Sequence, residues 1–254
     1  MIFTVDIGNT NIVIGIFKGE ELIKHWRFST SKKKTSDEYG IKVRSLLRTE
    51  GIEKEDFRGA VISSVVPSVT ESFSMAIRDY LDIEPMVVGP GIKTGLPIKT
   101  DNPREVGSDR IVNAVAAYRK HKSALIIVDF GTATTFDYVN EKGEYTGGAI
   151  APGLEISAEA LSQRTAKLPR VEIGKPKKII GKNTFESMQA GLFYGFLSMT
   201  NGIIEKIKKE AGGTPKVIAT GGIAKIIAVE TELINEVDEF LILEGLKIIY
   251  EENI

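Results

Sequence analysis

The chain reads as an α/β protein made of two similar halves, and three observations carry that reading. A strand, a glycine turn and a second strand occur twice, each time with an aspartate where the first strand ends. Each copy runs on through an alternating strand into the same Lys-Gly-Glu tripeptide. Beyond the two meanders, segments with apolar residues at helical spacing alternate with short β-branched runs. The first copy is Val5-Asp6-Ile7-Gly8-Asn9-Thr10-Asn11 and the second is Val128-Asp129-Phe130-Gly131-Thr132-Ala133-Thr134, with Val, Asp and Gly in register. The tripeptides are Lys18-Gly19-Glu20 and Lys142-Gly143-Glu144, displaced by a one-residue slip. So long a repeat signals a duplicated half rather than a solenoid. The halves are expected to be residues 1–105 and 106–254.

In the first half, residues 2–6, 12–17 and 21–29 read as a three-stranded meander. Residues 36–48 place Tyr39, Ile41, Val43, Leu46 and Leu47 at roughly helical spacing, with a cap at Thr35 or Ser36. Residues 58–66 form a buried-strand pattern ended by Pro67, followed by a helix over 68–80 and a strand over 85–88. Gly, Pro and Thr crowd residues 89–103, which makes that stretch a linker. A helix over 106–120 then opens on Gly107-Ser108-Asp109-Arg110. The second meander starts at Ser123 and closes with Gly147-Gly148-Ala149-Ile150-Ala151-Pro152-Gly153. Helices are predicted over 154–164, 184–211, 223–229 and 241–250, a strand over 216–219, and a loop over 165–182.

Composition narrows the function. A net charge of −1 over 254 residues gives no broad electrostatic footprint for nucleic acid. The absence of cysteine excludes disulfides and thiolate metal sites. No apolar run approaches the roughly 20 residues of a membrane span, and the first residues already form a strand rather than a signal peptide. A cytoplasmic setting is therefore expected. His25 and His121 stand singly, without a partner at ligand spacing, and read as surface or packing residues.

The chemistry sits in three glycine turns, each after a strand: Asp6 to Asn11, Asp129 to Thr134, and Thr220-Gly221-Gly222. Turns of this kind expose backbone N–H groups that have no ladder partner, and phosphate is a natural ligand for them. A carboxylate beside such a turn suits a magnesium ion that is held mainly by phosphate oxygens and water. No Walker sequence and no dinucleotide fingerprint is present. The helix start at Gly107 to Arg110 offers free N–H groups to a substrate carboxylate, with Arg110 as a charged partner. Asp109 can accept the proton of an attacking hydroxyl, or can simply cap the helix with Arg110 paired at the surface; the residues alone leave both readings open.

The element order β-β-β-α-β-α-β is that of a ribonuclease-H-like half. Two such halves with a cleft between them make the actin-like ATPase and sugar kinase architecture. The three turns, Gly107 to Arg110 and the run 147–153, in this order, together resemble the type III pantothenate kinase family. The resemblance spans nearly the whole chain. It implies ATP-dependent phosphorylation of the pantothenate 4′-hydroxyl, the first step of coenzyme A synthesis, with Asp109 as proton acceptor. It also implies ATP contacts from Asp6, Ile7, Gly8, Asn9, Thr10, Asn11, Ile12 and Val13, with Thr132, Gly221 and Gly222 joining them. Pantothenate is expected at Gly107, Ser108, Asp109, Arg110, Thr184 and Thr100. Asp129 resembles the family's ligand for a monovalent cation, potassium or ammonium, and Asp6 stands near the magnesium that accompanies ATP. A homodimer is implied as well. Thr100 stands where many members have tyrosine, and Ser108 where many have alanine, the latter a harmless change by expectation. Two alternatives share the motifs or the fold: a non-kinase accessory factor of this family, and another actin-like phosphatase or sugar kinase.

Overall fold

The computed structural model describes all 254 residues. The first meander is β1 (Ile2–Ile7), β2 (Asn11–Lys18) and β3 (Glu21–Ser29), followed by helix α1 (Ser36–Thr49), β4 (Gly59–Ser64), α2 (Pro67–Leu81) and β5 (Met86–Val87). Helix α3 (Ser108–His121) leads into β6 (Leu125–Phe130), β7 (Ala133–Val139) and β8 (Tyr145–Pro152). Then come α4 (Leu154–Arg164), α5 (Thr184–Ala211), β9 (Lys216–Gly221), α6 (Ala224–Ala228), β10 (Glu236–Val237) and α7 (Leu241–Glu251).

Two five-stranded sheets result, in the orders β3-β2-β1-β4-β5 and β8-β7-β6-β9-β10. Both are antiparallel across the meander and parallel beyond it: β1 pairs parallel with β4 as β6 does with β9, and β4 with β5 as β9 does with β10. Strand for strand, the second sheet repeats the first. The expected strand over 216–219 extends to Gly221, and β10, which the sequence reading lacked, completes the repeat.

The chain divides into two compact units, unit 1 being Met1–Gly95, Asn102–Ala116 and Leu241–Ile254, and unit 2 being Leu96–Asp101 and Ala117–Phe240. Compactness thus places the start of α3 and all of α7 with the first sheet, so the units are not simply residues 1–105 and 106–254.

In unit 1, alternate residues of β1 and β2 turn Phe3, Val5, Ile7, Ile12, Ile14 and Ile16 into a core closed by α1 and α2. Helix α1 starts with a capping box, in which Thr35 accepts from Glu38 N–H and the Glu38 carboxylate accepts from Thr35 N–H. The opposite side of the sheet receives α7, whose Tyr250 hydroxyl donates to the Arg58 carbonyl at 3.0 Å. Unit 2 has its own core, where Ile126, Val128, Phe130 and Phe136 meet Phe193, Phe196 and Ile204 of α5.

Candidate active site

The expected site residues fall into a group in each unit. In unit 1, Ile7 is the last paired residue of β1 and Ile12 the first of β2, so Gly8 to Asn11 form the turn. Gly8 N–H donates to the Asn11 carbonyl at 2.9 Å, and Thr30 N–H to the Thr10 carbonyl at 2.9 Å. The Thr30 hydroxyl donates to the Gly8 carbonyl at 2.7 Å. The turn is therefore braced by the residue that follows β3, while Asn9, Thr10 and Asn11 remain exposed. Asp6 is partly buried and pairs in register with Ser63 of β4.

The start of α3 lies at the end of β4. Ile111 N–H donates to the Gly107 carbonyl at 3.2 Å, which sets Gly107 at the helix entry. Asp109 Oδ1 accepts from Arg110 N–H at 2.9 Å. A Cβ on Gly107 would come within 2.5 Å of that same oxygen, so the carboxylate occupies space that only glycine leaves open. Burial pushes the Asp109 carboxyl above its ordinary value, against the pull of the Arg110 N–H and guanidinium. That direction makes Asp109 a stronger base than an exposed aspartate.

In unit 2, Phe130 pairs with Thr134, which leaves Gly131 to Ala133 as the turn between β6 and β7. Gly153, at the start of α4, packs against it: Gly153 N–H donates to the Thr132 carbonyl at 3.1 Å. A Cβ on Gly153 would meet the Thr132 and Gly131 carbonyls at 2.3 and 2.5 Å. At the neighbouring strand end, Gly221 has φ +94 and pairs with Phe130. A Cβ there would lie 2.7 Å from Asp129 Oδ1, so glycine is required both by the backbone and by the carboxylate beside it.

A family model described as type III pantothenate kinase matches residues 2–206. A curated relative of that description from Geotalea uraniireducens is 59% identical over 253 residues, covering 100% of this chain and 99% of its own. The chain belongs to the type III pantothenate kinase family. It is a kinase. Among solved structures, a Sinorhizobium meliloti protein described as a 2-dehydro-3-deoxygalactonokinase aligns at TM-score 0.63 and 8% identity, covering 99% of this chain and 96% of its own. The polyphosphate/ATP-glucomannokinase from Arthrobacter sp. strain KM aligns at TM-score 0.50 and 14% identity, covering 99% and 98%. These two likenesses show the fold, which is the expected duplicated architecture of the actin-like ATPases and sugar kinases.

Two further expected substrate residues, Thr184 and Thr100, belong to unit 2. Thr184 is the first residue of α5, whose N-cap Asn183 accepts from Glu186 N–H at 2.8 Å. It lines a cavity of about 670 Å³ together with Leu161, Lys182, Asn183, Ser187 and Met188. Thr100 lies in the segment Leu96–Asp101 of unit 2, and its buried Oγ1 has no hydrogen-bond partner. Gly222 is exposed beside Gly221.

The donor set bears on the cations this family implies. No cluster of three or more His, Cys, Asp or Glu side chains forms a metal site. Single carboxylates beside phosphate-type turns, Asp6 and Asp129, fit ions that take their remaining ligands from nucleotide, water and carbonyl oxygen. Sequence reasoning missed Thr30, Ser63 and Ser64, none of which lies in a glycine motif. Their signal was positional, since Ser63-Ser64 ends the strand that neighbours Asp6.

Proposed function

We propose that the chain transfers the γ-phosphoryl group of ATP to the 4′-hydroxyl of pantothenate, opening coenzyme A synthesis. The observation that carries the reading lies within unit 1, where a braced glycine turn follows Asp6 on β1 and a partly buried aspartate opens α3, whose Ser108 bonds the end of β4 in register with Asp6. The turn residues Asp6 to Val13 are assigned to the ATP phosphates, with Thr132, Gly221 and Gly222 as further nucleotide contacts. Gly107 to Arg110 are assigned to pantothenate, and Arg110 suits its carboxylate. Thr184 and Thr100 are assigned to the same substrate, the unpartnered hydroxyl of Thr100 being free to bond it.

Asp109 accepts the hydroxyl proton as the new P–O bond forms and the bond to the β-phosphate bridging oxygen breaks. In a loose transition state the demand on this base is modest, and a carboxylate with a raised pKa meets it. Asp6 would hold magnesium, through water, and the ion when bound with ATP would supply charge neutralisation on the phosphates. Asp129 is proposed to hold potassium or ammonium, a role that suits a carboxylate near the end of β6 beside the Gly131 turn. A homodimer fits the exposed apolar residues Ile150, Ile156, Leu161, Ile179, Ile180 and Phe185 of unit 2. No helix is long and apolar enough to cross a membrane, and the proposed setting is the cytoplasm.

The test is ADP release with ATP and magnesium, with and without pantothenate, in potassium and then in sodium. Release that requires pantothenate and falls in sodium is the expected result. Release independent of pantothenate contradicts the substrate, and equal rates in both salts contradict the cation role of Asp129.

A further inference from the structure

The Ser108 hydroxyl touches three groups, all on β4. It donates to the Ser64 carbonyl at 3.1 Å and accepts from Ser64 N–H at 3.2 Å. The Ser63 hydroxyl lies at 3.1 Å and, with the Ser108 proton already committed, is the donor of that contact. A serine hydroxyl has one donor and two acceptor sites, so this one is saturated inside the protein and has no capacity left for a ligand. Its partners are well fixed. Ser63 is fully buried, and Ser63 and Ser64 pair in register with Asp6 and Ile7 of β1. Ser64 Oγ in turn accepts from the Thr70 hydroxyl at 2.6 Å and from Val66 N–H at 3.0 Å, which joins the first turn of α2 to the same point.

We propose that Ser108 is a positioning residue whose hydroxyl fastens the first turn of α3 to the end of β4 and thereby sets the Asp109 carboxylate relative to the Asp6 turn. The inference rests on the reading of Asp109 as proton acceptor. It assigns the hydroxyl to the protein rather than to pantothenate, and makes its replacement by alanine consequential in this chain. The Asp109 carboxylate is held locally by Arg110 N–H and by the space over Gly107, both of which move with α3. Only an anchor from α3 to the sheet fixes the carboxylate against the phosphate turn, and a displacement of a fraction of an ångström weakens an attack geometry of this kind.

The experiment compares Ser108→Ala, Ser108→Thr and Asp109→Asn with the parent for kcat, both KM values and Tm. Ser108→Ala is expected to lower kcat about fivefold, with the KM for ATP within about twofold of the parent, because positioning acts on the reacting step. Ser108→Thr, which keeps the hydroxyl, restores most of the loss. If Ser108→Ala does not fold, Ser63→Ala removes one partner from the other side and is expected to lower kcat in the same direction. An unchanged kcat in Ser108→Ala, or a raised KM for pantothenate at unchanged kcat, overturns the inference, the latter by showing a direct substrate contact. An Asp109→Asn enzyme with near-parental kcat removes the reading beneath it. An inactive Asp109→Asn beside a Ser108→Ala of parental kcat removes the positioning role alone.

Discussion

Gly107 leaves the space that the Asp109 carboxylate occupies, since a Cβ there would lie 2.5 Å from Asp109 Oδ1. Gly107→Ala is therefore expected to push the carboxylate off its position and lower kcat about tenfold, while Tm changes little because the displaced group is a side-chain end. A parental kcat in this variant, measured at saturating substrates, contradicts the geometry. Elsewhere, charge governs stability. Lys120 and Lys216 hold the Glu236 carboxylate at 2.5 and 2.7 Å and lower its pKa from 4.5 to about 2. With the folded value depressed, the contribution of Glu236 is complete above about pH 4.5 and is lost as pH falls through about 2. The stability gap between the parent and Glu236→Gln, measured by denaturant titration, should thus be constant near neutrality and close in acid. His121 belongs to the same cluster: its Nδ1 lies 3.2 Å from Lys216 Nζ and its Nε2 is 3.6 Å from Glu236. Burial and Lys216 lower its pKa, so it packs as a neutral ring. No local pattern hints at this cluster, because Lys216 and Glu236 meet only when β9 and β10 pair, and Lys120 joins them from the last turn of α3.

At the scale of elements, the closeness of α1 to α2 depends on Gly40. A Cβ at that buried position would enter the Tyr80 ring at 2.2 Å, reaching its Cγ as well as its edge, so Tyr80 cannot simply swing away. Gly40→Ala is expected to cost about 1–3 kcal/mol by overpacking, despite alanine's better helix propensity. A thermal melt no lower than the parent's contradicts this packing. Periodicity made the helices legible: α5 runs from Thr184 to Ala211 as the spacing predicts, with Asn183 as its cap and Gly212 in the left-handed conformation at its end. Short edge strands were not legible in that way. Glu236–Val237 is two residues long, too short to show a period of two, yet the internal repeat calls for a strand at that place. The Gly8 and Gly131 turns were legible as glycine motifs and Gly153 as the end of the run 147–153, whereas the brace Thr30 lies in another element and carries no pattern of its own.

At the scale of the molecule, the duplication visible in Asp6 and Asp129 becomes two sheets of identical strand order. A sequence repeat records which segments are alike, while compactness follows burial, and the two divide the chain differently. Helix α7 illustrates the difference. It follows the second sheet in the chain but packs on the first, where the buried Lys247 reaches the exposed Glu20 at 2.7 Å and Gly245 sits against the Val112 carbonyl. No local pattern announces such a return. The candidate site was legible to the extent that it uses glycine turns and the start of α3, and the raised pKa of Asp109 was not, because desolvation depends on neighbours the motif does not name. The central claim is that Asp109 takes the proton while the turn after Asp6 holds the nucleotide. Its most direct test is Asp109→Asn, assayed for both ATP binding and phosphoryl transfer to pantothenate. We predict ATP affinity close to the parent's and a kcat lower by about 10²–10⁴-fold, the range for loss of a general base. Near-parental turnover in that variant would contradict the account and reduce Asp109 to a helix cap.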